Sequence, residues 1–143
     1  MNVARMLKDK GRGVATVAPD APLRQAVEML AAERVGALVV CDHDMHVSGI
    51  ISERDVVRMI AASGPAVLDA PVSSCMTSDV RTCSEHDSVE FLMEEMTSHR
   101  FRHMPVVEGG RLVGIVSIGD VVKQRIAAAD LEAASMREYI ATG

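Results

Sequence analysis

The sequence predicts an α+β fold, with helices layered on sheets. Two β-α-β-β-α units pack as a pseudo-twofold pair, and a long C-terminal helix follows. Two observations carry this prediction. First, the chain repeats itself: Val17 aligns with Cys83, Leu30 with Met96, Val35 with Phe101 and Val40 with Val106, at a constant spacing of 66. Each copy closes on nearly the same words, GIISERDVV at 49–57 and GIVSIGDVV at 114–122, which agree at six of nine positions. Here the spacing is 65, because the loop 42–46 is one residue longer than its counterpart 108–111, and loops tolerate such changes. Second, within each copy the apolar period switches between that of a strand and that of a helix.

The elements follow in order. Residues 14–17 read as a short strand ended by Pro19 and Asp20, and Leu23, Ala26, Val27, Leu30 and Ala31 then recur at helical spacing. Residues 37–41 and 47–52 are β-branched runs around a polar loop, which predicts a hairpin, and 54–62 carries the next helix. In the second copy the same order predicts a strand at 80–83, a helix at 89–98 capped by Ser88, strands at 103–107 and 112–117, and a helix from near Gly119. This last helix runs on with Val122, Ile126, Ala129, Ala133, Met136 and Ile140 at helical intervals. The expected organisation is a first repeat with an N-terminal helix at 1–63, a linker at 64–74, a second repeat at 75–128 and a helical extension at 129–143. Neither repeat alone buries an apolar sheet face well, so the two should pack sheet to sheet.

Composition narrows the functions. A formal net charge of -5 and a pI near 5.5 argue against a broad nucleic-acid footprint. Two Phe, one Tyr and no Trp argue against base-stacking platforms. Three cysteines without CxxC spacing point to a reducing compartment, and no run reaches the length of a membrane span. The expected location is cytoplasmic, with neither nucleic acid nor membrane as partner.

The closing motifs carry the chemistry. Gly49 and Gly114 stand in the last strand of each copy, where the missing side chain would let a flat group approach the backbone. Ser52 and Ser117 end those strands, and each can cap the next helix beside its free N–H groups, a suitable place for phosphate. Asp55 and Asp120 follow one helical turn later, where a carboxylate can accept a ribose diol. A single Ser-x-x-Asp is more often only a helix cap, with Asp reaching back less well than Glu. Two, each behind a glycine, favour binding at one corner at least.

Both copies resemble the cystathionine β-synthase (CBS) domain, and the tandem resembles a Bateman module standing alone. The resemblance rests on GIISERD, GIVSIGD, RHMPVVEGGRLVGIVS and VSSCMTSDVRTC, and it extends over roughly residues 3–126. It implies a non-enzymatic regulatory sensor that binds adenosine-containing nucleotides (AMP, ATP or NAD) between the repeats and alters the geometry of a dimer or of a partner protein. The alternative is a ligand-free dimerisation protein with the same fold. The family's twofold arrangement implies two sites, each walled by the opposite repeat. One would use Ile50, Ser52, Arg54 and Asp55 with Thr77, Arg81, Arg102 and His103. The other would use Ile115, Ser117 and Asp120 with Lys10, Ala15, Val35, Gly36 and Ala37. Glu53-Arg54 faces Ile118-Gly119 in the alignment, so the sites should be unequal. No cofactor beyond the regulatory nucleotide and no catalytic residue is expected, and a homodimer through the last helix is.

The remaining candidates are weaker. Asp42, His43, Asp44 and His46 could hold a cation only loosely, since no zinc spacing is present, so no metal site is expected. Cys41 reads as a packed hydrophobe, whereas Cys75 and Cys83 could face a site. Met29, Met93 and Met96 read as core fillers, and the acidic run 85–95 as a solvated helix side.

Overall fold

The computed structural model describes residues 1–142. Its elements are α1 (Val3–Lys10), β1 (Thr16–Val17), α2 (Leu23–Glu33), β2 (Ala37–Cys41), β3 (Val47–Ser52), α3 (Glu53–Ser63), α4 (Val89–His99), β4 (His103–Glu108), β5 (Arg111–Ser117) and α5 (Ile118–Thr142), with 3-10 turns at Pro65–Asp69 and Val72–Ser74. The mixed helix-and-strand class and the long final helix are as the sequence predicts.

The hairpins are built alike. Ala37 faces Ser52 and His103 faces Ser117, and both ladders shift register one step before the tip, between Val40 and Cys41 and between Val106 and Val107. The two helices that precede them also end alike, at Arg34 and Arg100 in the left-handed region with φ 54 and 57. β1 lies parallel to β2, but it is shorter than 14–17. Val14 turns away to pack between the repeats, and the Ala15 carbonyl accepts a hydrogen bond from Val39 N–H.

The expected strand at 80–83 does not form. A single parallel bridge ties Cys83 to Val106, and Asp79, Val80 and Arg81 instead rim a cleft. Ala31 is exposed, whereas Leu23, Ala26 and Leu30 of α2 are buried in the core and Val27 and Met29 pack against it. Ser88 caps α4 through the Phe91 N–H, as its position predicts.

Three apolar clusters hold the molecule together. The first packs α2 and the first sheet around Leu23, Leu38, Val40 and Ile51; the second packs α4 and the second hairpin around Leu92, Met96, Met104 and Val106. A third, of Val39, Cys41 and Leu112 with Val14, Val47 and Ile115, lies where the repeats meet, and Leu112 N–H donates to the Met45 carbonyl across it. This is the sheet-to-sheet contact expected of two units too small to stand alone.

The leading segments cross over. α1 precedes the first repeat, yet Val3, Met6 and Leu7 are buried in the second cluster, and Val3 and Ala4 N–H groups donate to Asp87 and Glu85 carbonyls. The joining segment precedes the second repeat, yet Val67, Val72 and Cys75 are buried in the first cluster, with Pro22 bridging Pro71. The exchange ties each half to the chain that leads into the other. Fully burying a side chain such as Leu7 contributes about 2 kcal/mol to that tie.

Candidate functional site

The first corner is a closed capping box. Ser52 Oγ accepts from the Asp55 N–H at 3.2 Å, and Asp55 Oδ2 accepts from the Ser52 N–H and hydroxyl, each at 3.0 Å. Asp therefore makes the reciprocal reach for which Glu is better suited. The Ser52 hydroxyl proton is committed to Asp55. Asp55 Oδ1 points the other way and accepts from the Thr77 hydroxyl at 3.4 Å.

Around this corner opens a cleft of about 380 Å³ lined from both halves. Ile50, Ser52, Arg54 and Asp55 meet Thr77, Arg81, Arg102 and His103 there, which brings together the whole residue set expected at the first site. Arg58, Asp79, Arg100 and Phe101 also line it, and sequence reasoning missed them. Arg58 lies one turn beyond Arg54 on α3, so the helical period was the available signal. Arg100 had none, since an arginine in a left-handed cap is foretold by no local pattern. Phe101 stacks on His99 with ring centroids 5.8 Å apart, giving the cleft one flat wall.

The second corner repeats the box. Ser117 N–H and hydroxyl donate to Asp120 Oδ2 at 2.8 and 2.9 Å, and Ser117 Oγ accepts from the Asp120 N–H at 3.1 Å. Here a cation also arrives from the opposite side. Lys10 Nζ donates to the Ile115 carbonyl at 2.8 Å and to Asp120 Oδ2 at 2.5 Å. Lys10 is the last residue of α1. Of the others expected at this corner, Gly36 lines the first cleft, Ala15 and Val35 pack against the first core, and Ala37 is buried in β2.

Both glycines have a different use from the one anticipated. A methyl added at Gly49 would lie 2.6 Å from the Thr77 carbonyl oxygen and 2.7 Å from Met76 Sδ; at Gly114 it would lie 2.8 Å from both Leu7 methyls. Each glycine admits a crossing segment of protein. Three residues beyond these contacts the segments diverge: Lys10 follows Leu7 and meets Asp120, whereas Asp79 follows Met76 and lines the first cleft.

Electrostatics separate the corners further. Burial works to raise the Asp120 pKa, but the hydrogen bonds from Lys10 and Ser117 and the Lys10 charge outweigh it and hold the carboxyl below its usual range. His103 lies between the sites. Burial, then the Lys10 and Arg102 cations, hold it below the ordinary imidazole value against the pull of Asp120, so it is neutral at pH 7.

The lesser candidates resolve plainly. Asp42, Asp44 and His46 bring donor atoms within 4.8 Å of one another at the exposed first hairpin tip, where Asp42 Oδ1 accepts from the Asp44 and His46 N–H groups. Cys75 and Cys83 face the two cores and no site, and burial beside Asp87 and Glu108 pushes the Cys83 thiol up to about 12. Met96 is core, but Met93 is exposed and lines a groove between α4 and α5.

Known proteins share this architecture. A family model described as CBS domain matches residues 9–62 and 72–126. The chain belongs to the CBS-domain family. The solved CBS-domain containing protein ATU1752 from Agrobacterium tumefaciens is 49% identical, with a TM-score of 0.83 over 87% of this chain and 99% of that one. PAE2072 from Pyrobaculum aerophilum, a CBS domain protein solved in complex with AMP, is 29% identical with a TM-score of 0.79 over 93% and 99% of the two chains. An uncharacterised 17.7 kDa protein of Acidianus ambivalens is 36% identical over 77% of this chain. The chain spans 66% of that relative's length and 32% of another's.

Proposed function

We propose that this chain is a non-enzymatic regulatory module that binds an adenosine-containing nucleotide, AMP, ATP or NAD, in the first cleft. The observation that carries the reading is the cleft itself: a carboxylate with one outward oxygen, a flat wall and a cationic rim converge there from both repeats. In this reading Asp55 Oδ1 takes the ribose hydroxyls. Because the Ser52 and Thr77 hydroxyl protons are both donated to Asp55, the arginines take the phosphate. The AMP complex of PAE2072 supports the ligand class.

The second corner binds more weakly, since a ligand there must displace Lys10 from Asp120. That pairing favours the alternative reading, a ligand-free structural unit, for the second corner alone. Occupancy of the first cleft shifts the tilt between repeats by as much as the ligand's affinity for the two arrangements differs. The shift is passed to a second copy of the chain, or to a protein partner, through α5. Leu131, Met136 and Ile140 are 71%, 61% and 73% exposed on that helix, and an isolated helix end of this kind is marginal in water until it is covered. An Ala-rich stripe facing its own copy about a twofold axis covers it. Among the described residues no helix is long and apolar enough to cross a membrane. The acidic chain is assigned to the cytoplasm, with no nucleic-acid partner.

Calorimetric titration with AMP, ATP, NAD and S-adenosylmethionine tests the reading. Binding by at least one, weakened at least about tenfold in Asp55→Asn, is the expected result, because Asn keeps the cap but loses the charge-assisted hydrogen bonds. No binding by any of the four contradicts it.

A further inference from the structure

We propose that the first cleft selects a nucleoside carrying two or three phosphates in a chain over the corresponding monophosphate. This rests on the nucleotide reading above and specifies its ligand. The observation is a set of five guanidinium groups. Arg54 and Arg58 lie one turn apart on α3, and Arg81, Arg100 and Arg102 come from the second repeat, yet all five line the same cleft. Arg81 has Glu95 at 3.7 Å; among the described residues none of the other four has a carboxylate within 4.0 Å.

Charge counting makes the convergence notable. The lining holds those five cations against the carboxylates of Glu53, Asp55 and Asp79, a surplus of two positive charges in a chain whose net charge is -5.

A guanidinium binds phosphate through a planar fork of two N–H groups, so one or two arginines satisfy the terminal oxygens of a monophosphate. Five would leave at least three forks facing one another with no anion between them. A diphosphate or triphosphate chain supplies the missing oxygens and charge. The second corner is the internal contrast. At the spacing of 65, Gly119 stands where the first corner has Arg54, and the cation present, Lys10, is turned onto protein.

The test is calorimetric titration of the whole chain with AMP, ADP and ATP, free of magnesium and at one fixed salt concentration. Affinity is expected to rise at least about tenfold from AMP to ATP, the gain of one added charge-assisted contact or more. It is also expected to fall more steeply with salt for ATP than for AMP. The double variant Arg54→Ala/Arg58→Ala alters two exposed α3 side chains, and it should melt close to the parent while the ATP-to-AMP ratio collapses to under about threefold. AMP binding as tightly as ATP overturns the inference but leaves the nucleotide site standing. An undiminished ratio in the double variant also overturns it. Failure of all three to bind removes the site reading itself, and this inference with it.

Discussion

Gly49 shows how a residue can be legible in its identity but not in its purpose. The repeated glycine marks a close approach, and the sequence alone does not say whether a ligand or the chain itself approaches. Met76 and Thr77 fill that space at Gly49 and Leu7 fills it at Gly114. Their yielding differs, because Leu7 and Met76 can shift whereas the Thr77 carbonyl is held in a bridge to Ile50. Gly49→Ala should therefore cost about 2–3 kcal/mol and Gly114→Ala about 1 kcal/mol, measured by urea unfolding. The Lys10–Asp120 pair is likewise invisible to spacing, since its members lie 110 residues apart. Asp120 is held below its ordinary value of 3.8, so its contribution to stability is complete above that value and is lost as pH falls through the folded pKa. In Lys10→Met that pKa rises, and acid unfolding followed by circular dichroism should begin at a higher pH than in the parent. An unchanged acid midpoint would mean that the pair contributes no stability.

At the scale of elements, period was a good guide and partnership was not. Both hairpins, α2, α3 and α4 form where alternation and helical spacing place them, because each buries one face against its own repeat. The strand expected at 80–83 shrinks to a single bridge at Cys83, and Val80 and Arg81 line the cleft instead. The stripe Val3, Met6, Leu7 says that α1 needs a core; it does not say that the core is the second one, and only the fold reveals the crossover. α5 raises the same question in solvent. Every side chain from Ala127 to Ala141 is exposed, so truncation after Ala129 should lower the melting temperature of a monomer by only a few degrees, about 1 kcal/mol or less. If α5 joins two copies, the same truncation halves the mass seen by sedimentation equilibrium and abolishes the dependence of melting on protein concentration. A full-length chain that sediments as a monomer at high concentration contradicts this assignment.

Across the whole molecule, duplication has produced two corners of the same covalent design and unequal electrostatics. The capping boxes match atom for atom, so the sequence identity between GIISERD and GIVSIGD records helix starts as well as any shared ligand chemistry. What separates the corners comes from elsewhere in the chain. Lys10 closes one, while Arg58, Arg81, Arg100 and Arg102 join Arg54 around the other. The family resemblance implied the first-site residues; the turn from Arg54 to Arg58 was the signal available for Arg58, and Arg100, brought in from a separate element, leaves no mark on spacing. One dominant nucleotide site per chain, at Asp55, is therefore expected. Its most direct test is calorimetry with ATP on three proteins: the parent, Asp55→Asn and Asp120→Asn. Near-unit stoichiometry in the parent, kept in Asp120→Asn and weakened at least about tenfold in Asp55→Asn, is the predicted result. Binding that survives Asp55→Asn but is lost in Asp120→Asn would contradict it.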